Sequence, residues 1–222
     1  MMKAVLFDFN GTLYDDTDFH RRAWRSYMQK RFSATLSDAY LDKYFLGPGN
    51  ETIFKTYFND NVTPEEIELY SREKEEEYRA ICRSDSKNLL LIDGAYALFD
   101  LLRERGIPFI VATASRISNV RFYMDELGLG KWLSLDQIVY EDGSLPGKPD
   151  PAFYLEAARR AGADIADCII CEDSRTGLQS AVNAGAGRII AMDRSLGSET
   201  LQAMPEIHAV IHDYHNFERF LR

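Results

Sequence analysis

The chain has 222 residues, of which 45% are hydrophobic and 27% charged. That is a globular composition, larger than an average domain and short of two full ones. With 35 Asp and Glu against 26 Lys and Arg the formal net charge is -9, the wrong sign for gripping a nucleic-acid backbone or an anionic membrane, so small-molecule partners are favoured.

The apolar runs are short and come at intervals. Ala4 to Phe9 reads as a first strand. From about Asp16 to about Asn88 no strand pattern occurs; the stretch reads as helical and highly charged. Within it Thr63-Pro64-Glu65-Glu66 predicts a capped helix start with Pro at the first helical position. The acidic run from Glu65 to Tyr78 reads as a solvated helix face, and none of Lys30, Lys43, Lys55, Lys74 and Lys87 carries a sign of burial. Helices are then predicted over 95–104, 118–127, 151–161 and 175–184, with Gly106, Gly162 and Gly185 at three of their ends. Strands are predicted over 108–113, 137–140 (weakly), 168–171, 188–192 and 209–211. Their apolar character is continuous rather than alternating, as in strands covered on both faces. Strand and helix alternation implies βαβ units. The predicted fold is α/β: a Rossmann-like three-layer α/β/α core with a parallel sheet, residues 1–15 and 88–222, and an inserted helical domain, residues 16–87.

Three cysteines, Cys82, Cys168 and Cys171, make no disulfide framework and fit a reducing, cytoplasmic setting. Cys168 and Cys171 have C-x-x-C spacing, but inside a strand pattern that places the thiols on opposite faces, which favours structural burial over redox work. His208, His212 and His215 span a strand end and its loop, with no carboxylate or Cys at ligand spacing beyond Asp213, which gives a zinc cluster little support. No apolar run is long enough to cross a bilayer, and Asp8 follows the N-terminus too closely for a signal peptide.

In open α/β sheets ligands bind beyond the carboxyl ends of the strands. Those ends carry Asp8-Phe9-Asn10-Gly11-Thr12, Thr113-Ala114-Ser115, Gly147-Lys148-Pro149-Asp150 and Glu172-Asp173-Ser174. Asp8 ends an apolar strand, where a carboxylate is costly unless paired or bound to metal. Asp8 with Glu172 and Asp173 makes an oxygen-rich set suited to Mg²⁺. Carboxylates also serve as nucleophiles in phosphoryl transfer. The amides around Gly11 and Thr12, the Thr113 hydroxyl and the Lys148 ammonium suit phosphate oxygens. Each residue has a plainer reading: Glu172-Asp173 as acids at a helix start, Lys148 as a loop residue, Thr113 as a strand residue. Their concentration at one sheet edge favours the site.

Those four segments, in that order, resemble the motifs of the haloacid dehalogenase superfamily, close to the β-phosphoglucomutase-like phosphatases with a helical (C1) cap. His20-Arg-Arg-Ala-Trp24 is similar to the cap of that subfamily. The resemblance implies a Mg²⁺-dependent hydrolase acting on a small phosphorylated metabolite such as a sugar phosphate. It implies Asp8 as nucleophile, forming an aspartyl-phosphate. Mg²⁺ would sit on Asp8, the Asn10 backbone carbonyl, Glu172 and Asp173. Thr113 and Lys148 would hold the phosphoryl group, with Gly11, Thr12, Ala114 and Ser115 beside it, and His20 and Trp24 would contact substrate from the cap. A monomer or weak dimer is expected, with no nucleic-acid or membrane partner.

The resemblance breaks at position 10. Family phosphatases and mutases carry a second Asp there, as general acid for the leaving oxygen and general base for water; this chain has Asn10. An amide does neither job, and the loss is typically worth about 10²–10⁴-fold. Four readings stand: a slow phosphatase or one suited to acyl phosphates; proton supply from Asp15, Asp16 or His20; a non-catalytic binder of phosphorylated ligands; or an introduced substitution. A mutase is a further alternative, but the Phe45–Asn50 stretch has no Arg to grip a second phosphate. Branches that work without metal, or through a cap Lys Schiff base, rank lower. Asn10-Gly11 is also a deamidation-prone dipeptide, and deamidation would restore a carboxylate.

Overall fold

The computed structural model describes residues 2–46 and 49–222. The chain divides into two compact units, residues 1–15 with 90–222, and residues 16–89.

The first unit begins with β1 (Ala4–Phe7). After the helical unit come α5 (Ala95–Glu104), β2 (Phe109–Arg116), α6 (Ile117–Glu126), β3 (Ile138–Glu141), α7 (Ala152–Ala161), β4 (Cys168–Glu172), α8 (Arg175–Ala184), β5 (Arg188–Met192), α9 (Ser198–Gln202) and β6 (Ala209–Ile211); the numbers α1–α4 belong to the helical unit below. The strands form one parallel sheet in the order β3-β2-β1-β4-β5-β6. This is the Rossmann-like order: the chain winds outward from β1 to one edge, then restarts beside β1 with β4. The crevice at that reversal is where such folds bind ligands.

Both sheet faces are covered, as the continuous apolar strands require. On one face Leu6, Ile110, Ile170 and Ile189 pack with Phe153, Tyr154 and Ala157 of α7 and with Leu178 and Ala181 of α8. On the other, Phe7 meets Phe99, Phe109, Tyr214 and Phe217 in an aromatic cluster. The helix ends follow the glycines: Gly162 and Gly185 cap α7 and α8 in the left-handed conformation.

Two strands differ from the sequence reading, both at the site. β1 ends at Phe7 because the next residues close a tight turn in which Thr12, Leu13 and Tyr14 all donate backbone N–H bonds to the Phe9 carbonyl. β2 runs to Arg116, but its register with β3 shifts between Ala112 and Arg116. Thr113–Ser115 therefore leave the regular ladder, and their polar groups are free to serve other partners.

The helical unit comprises α1 (Thr17–Phe32), α2 (Asp38–Tyr44), α3 (Asn50–Tyr57) and α4 (Pro64–Ser84), followed by a short 3₁₀ turn. Thr63 caps α4 in a reciprocal capping box with Glu66, with Pro64 at the first helical position. The unit's core is aromatic: Trp24, Tyr27, Phe45, Phe54 and Tyr70 pack together. Met1, and Gly47 and Pro48 of the Arg-free stretch at 45–50, lie outside the described residues.

The acidic helix corrects one expectation. Lys74, unmarked in the sequence, is 1% exposed. It falls on the buried stripe of α4 with Ile67, Tyr70, Ser71, Tyr78 and Cys82, at the three- and four-residue spacing of a core-facing helix side.

Candidate active site

Asp8 and Asp173 stand just beyond the ends of β1 and β4, the two strands that flank the topological reversal, and Glu172 closes β4. All three are buried, and each can place a carboxylate oxygen within 4.8 Å of the others. Among the described residues this is the only group of three or more metal-ligating side chains. The three histidines near the C-terminus form no such group, and the His208 Nδ1 accepts the Ile189 N–H.

Lys148 provides the cation. Its Nζ lies 2.6 Å from Asp8 Oδ1 and 2.8 Å from Glu172 Oε1. It also donates to the Tyr154 hydroxyl at 3.1 Å and sits over that ring. The loop presenting it contains a cis Lys148–Pro149 bond and is tied to α8, where Asn183 donates to the Pro149 carbonyl and Ser180 to that of Asp150.

Burial opposes ionisation of Asp8, and the Glu172 charge adds to it; Lys148 pulls the other way, leaving Asp8 raised to about 7. Asp173 is pushed well up by burial, then by the charges of Glu172 and Asp8. Burial alone would lower Lys148, but Asp8 and Glu172 outweigh it and raise it. Three carboxylates thus crowd one ammonium and resist ionising together; a divalent cation with oxygen ligands would let them ionise. The donor set fits Mg²⁺. Its members are not equivalent: Glu172 Oε1 already accepts from Lys148, and its Oε2 accepts the N–H and hydroxyl of Ser174. Glu172 therefore also secures the start of α8, as the plainer reading of that acid held. Asp173 accepts from the Thr12 hydroxyl.

Two glycines give the carboxylates room. A Cβ on Gly177 would overlap Glu172, and one on Gly11, which has φ +79°, would overlap Asp173. Tyr214 closes the back of the loop by donating its hydroxyl to the Thr12 carbonyl at 2.8 Å.

The phosphate-holding groups come out differently from the sequence reading. The Gly11 N–H donates to the Tyr14 carbonyl at 2.8 Å and the Thr12 N–H to Phe9. Those two amides maintain the turn and are not spare donors. Thr113 Oγ1 accepts the Ser115 N–H at 3.0 Å and donates to Asn10 Oδ1 at 3.4 Å. Ser115 Oγ donates to Asn10 Oδ1 at 2.9 Å. Ala114 is exposed on the irregular segment between them. Asn10 Nδ2 donates to the Tyr123 hydroxyl at 2.9 Å. A held side chain next to an engaged Gly11 N–H is poor geometry for the cyclisation that deamidation requires, so the hazard of Asn10-Gly11 belongs to the unfolded chain.

His20 and Trp24 both lie on α1 of the helical unit. Trp24 is 1% exposed and packs edge-on against Phe45 and Phe54, which accords with its plainer reading as packing within the helical unit. His20 stacks on Tyr78 at 4.1 Å, its Nδ1 is 2.7 Å from Lys74 Nζ, and its Nε2 is 3.2 Å from Asp16. Asp16 also accepts from the Tyr78 hydroxyl at 2.7 Å, while Asp15 in the α/β unit pairs with Arg194 at 3.4 Å. Each alternative proton source in place of Asn10 is thus already engaged.

Sequence reasoning missed Tyr154, Tyr123 and Lys74. Lys74 was accessible through the stripe spacing of α4; a tyrosine on an amphipathic helix carries no comparable signal.

The family model for haloacid dehalogenase-like hydrolases matches residues 2–185. The chain belongs to the haloacid dehalogenase-like hydrolases. The 6-phosphogluconate phosphatase of Escherichia coli is 30% identical over 83% of this chain and 80% of its own length. The β-phosphoglucomutase of Bacillus subtilis is 26% identical over 83% of this chain and 80% of its own. A crystal structure of a haloacid dehalogenase hydrolase (family IA, variant 3) from Entamoeba histolytica superimposes with a TM-score of 0.92 at 33% identity, covering 99% and 98% of the two chains. The chain is accordingly a β-phosphoglucomutase-like member of this hydrolase family. Among the described residues no helix is long and apolar enough to cross a membrane.

Proposed function

We propose that this haloacid dehalogenase-like hydrolase is a Mg²⁺-dependent phosphatase for a small phosphorylated metabolite, such as a sugar phosphate, with Asp8 as nucleophile. The observation that carries the reading is the Asp8 carboxylate held 2.6 Å from Lys148 inside a cluster of three buried carboxylates. The sugar-phosphate names of its relatives support the substrate class.

In this scheme an Asp8 oxygen attacks phosphorus, the bond to the leaving oxygen breaks with its electron pair, and an aspartyl-phosphate forms on Asp8. Water then attacks that phosphorus, the bond from phosphorus to the Asp8 oxygen breaks with its electron pair returning to the carboxylate, and inorganic phosphate leaves. Lys148 orients Asp8 and offsets charge on the phosphoryl oxygens, and the Thr113 hydroxyl and the Ala114–Ser115 segment border the phosphoryl group. Asp8, the Asn10 carbonyl, Asp173 and Glu172 would hold Mg²⁺, which supplies electrostatic stabilisation of the transferring group. Residues 16–89 would act as the cap that selects substrate, with His20 as its candidate contact.

Asn10 shapes the rate. Without a carboxylic acid there, a basic leaving alkoxide departs unprotonated and slowly, and water lacks its base. Acyl phosphates, whose leaving carboxylates need no proton, are the fastest substrates on this account. The test is Mg²⁺-dependent phosphate release from sugar phosphates, p-nitrophenyl phosphate and acetyl phosphate. Turnover that is strongest with acetyl phosphate supports the reading. Absence of turnover while Mg²⁺ still binds would favour a non-catalytic binder.

A further inference from the structure

The side chain at position 10 is enclosed in a ring of hydrogen bonds, one member of which, Tyr123, lies outside the four family segments. Asn10 Nδ2 donates to the Tyr123 hydroxyl at 2.9 Å. Ser115 Oγ donates its proton to Asn10 Oδ1 at 2.9 Å. On the third side the Tyr123 and Ser115 hydroxyls face each other at 3.4 Å, and either can be the donor. Both ends of the Asn10 amide are thus engaged by hydroxyls that also adjoin each other. Thr113 adds a further donor to Asn10 Oδ1.

Tyr123 is itself immobilised. It is 2% exposed, its ring stacks on Phe9 at 4.3 Å, and it meets Tyr14 and Phe122 edge-on. Phe9 and Tyr14 belong to the same turn as Asn10. The hydroxyl is therefore set against position 10 by a packed aromatic group, not by a loose surface side chain.

We propose that Tyr123, with Ser115, is a positioning residue that holds the side chain at position 10 toward α6 and away from work on the leaving oxygen. The ring fits an amide, which donates at one end and accepts at the other. A carboxylate placed there would accept from the same two hydroxyls and stay in the same orientation. Restoring an aspartate is thus not enough to restore the family's acid–base step; the hydroxyl of Tyr123 must also go. This rests on the phosphatase reading above and sharpens it: the low proton-transfer capacity is built into α6 as well as into residue 10.

The experiment compares the full chain with Asn10→Asp, Tyr123→Phe and the double variant, in Mg²⁺, using p-nitrophenyl phosphate and a sugar phosphate. Phe keeps the stacking on Phe9. The expected result is a kcat rise below about tenfold for Asn10→Asp and a further rise of at least about tenfold for the double variant, against the 10²–10⁴-fold typical of a working acid–base group. KM should change little. A full gain from Asn10→Asp alone, with nothing added by Tyr123→Phe, would overturn the proposal. A second readout needs no turnover: the side-chain amide pair of Asn10 in ¹⁵N NMR spectra should show slow proton exchange, lost in Tyr123→Phe and weakened in Ser115→Ala. Unchanged exchange in Tyr123→Phe would also overturn it. If no variant turns over but the amide signature responds as expected, the phosphatase reading fails and the positioning role stands.

Discussion

Lys148 in the α/β unit and Lys74 in the helical unit are both withdrawn from solvent, with 8% and 1% of their side chains exposed. Their surroundings differ. Lys148 lies between two carboxylates, Asp8 and Glu172, with Asp173 close behind. Lys74 has one carboxylate, Glu75 at 2.8 Å, then the His20 ring nitrogen and the faces of Trp24 and Tyr78. Burial tends to raise Glu75, but Lys74 and His20 beside it overcome that and hold it low. Lys74 thus faces a single carboxylate, which the Asn50 amide also holds, as expected of a buried charge kept for structure. The Lys148 cluster holds more carboxylates than its one ammonium can offset, so Asp8 and Asp173 resist ionisation; a fold does not need that excess of acids and a cation-dependent phosphoryl site does.

That contrast can be broken by substitution. Lys148→Met should have the largest effect, because it strands two buried carboxylates. Turnover should vanish, and stability measured by denaturant should fall by about 3–5 kcal/mol. A fall below about 1 kcal/mol would mean that the cluster is far less desolvated than its burial implies.

Lys74→Met should destabilise less, since it takes the cation from a single carboxylate, and Glu75 keeps its hydrogen bond from Asn50. Adding Glu75→Gln should recover much of the loss, because an uncharged pair needs no partner charge. Equal losses in the single and double variants would contradict the pairing of Lys74 with Glu75.

Tyr154→Phe removes the hydroxyl that accepts from Lys148. A stability loss of about 0.5–1.5 kcal/mol is expected. A loss near zero would show that Asp8 and Glu172 alone fix the lysine.

The smallest effect lies outside both sites. On α7, hydrogen bonds from Arg159 and Arg160 lower Glu156 from 4.5 to about 2. A depressed carboxylate stabilises the fold above its unfolded value and loses that contribution as pH falls through its folded one. Glu156→Gln should therefore cost below about 1 kcal/mol at neutral pH. The difference from the parent should close between pH 4.5 and about 2.

Much of the α/β unit was legible because its signals are local. Continuous apolar runs mark strands covered on both faces, and Gly162 and Gly185 stop helices at the residues where the backbone turns left-handed. The site was legible because Asp8, Thr113, Lys148 and Glu172-Asp173 sit at strand ends that a parallel sheet must bring to one edge. What escaped has local and distant causes. The Gly11 and Thr12 amides look available until the turn is closed on Phe9 and Tyr14. Tyr123 reaches Asn10 across 113 residues. Lys74 sits in an acidic run whose charge disguises its place on a buried stripe.

The central claim is that Asp8 becomes phosphorylated. Acetyl phosphate and Mg²⁺ should be mixed with the protein, quenched in acid and read by intact mass and peptide mapping. Because Asn10 leaves water without its base, the phosphorylated protein should accumulate, with the added group on the peptide containing Asp8 and none on Asp8→Asn. Phosphate release undiminished in Asp8→Asn, or a phosphoryl group mapped elsewhere, would contradict it.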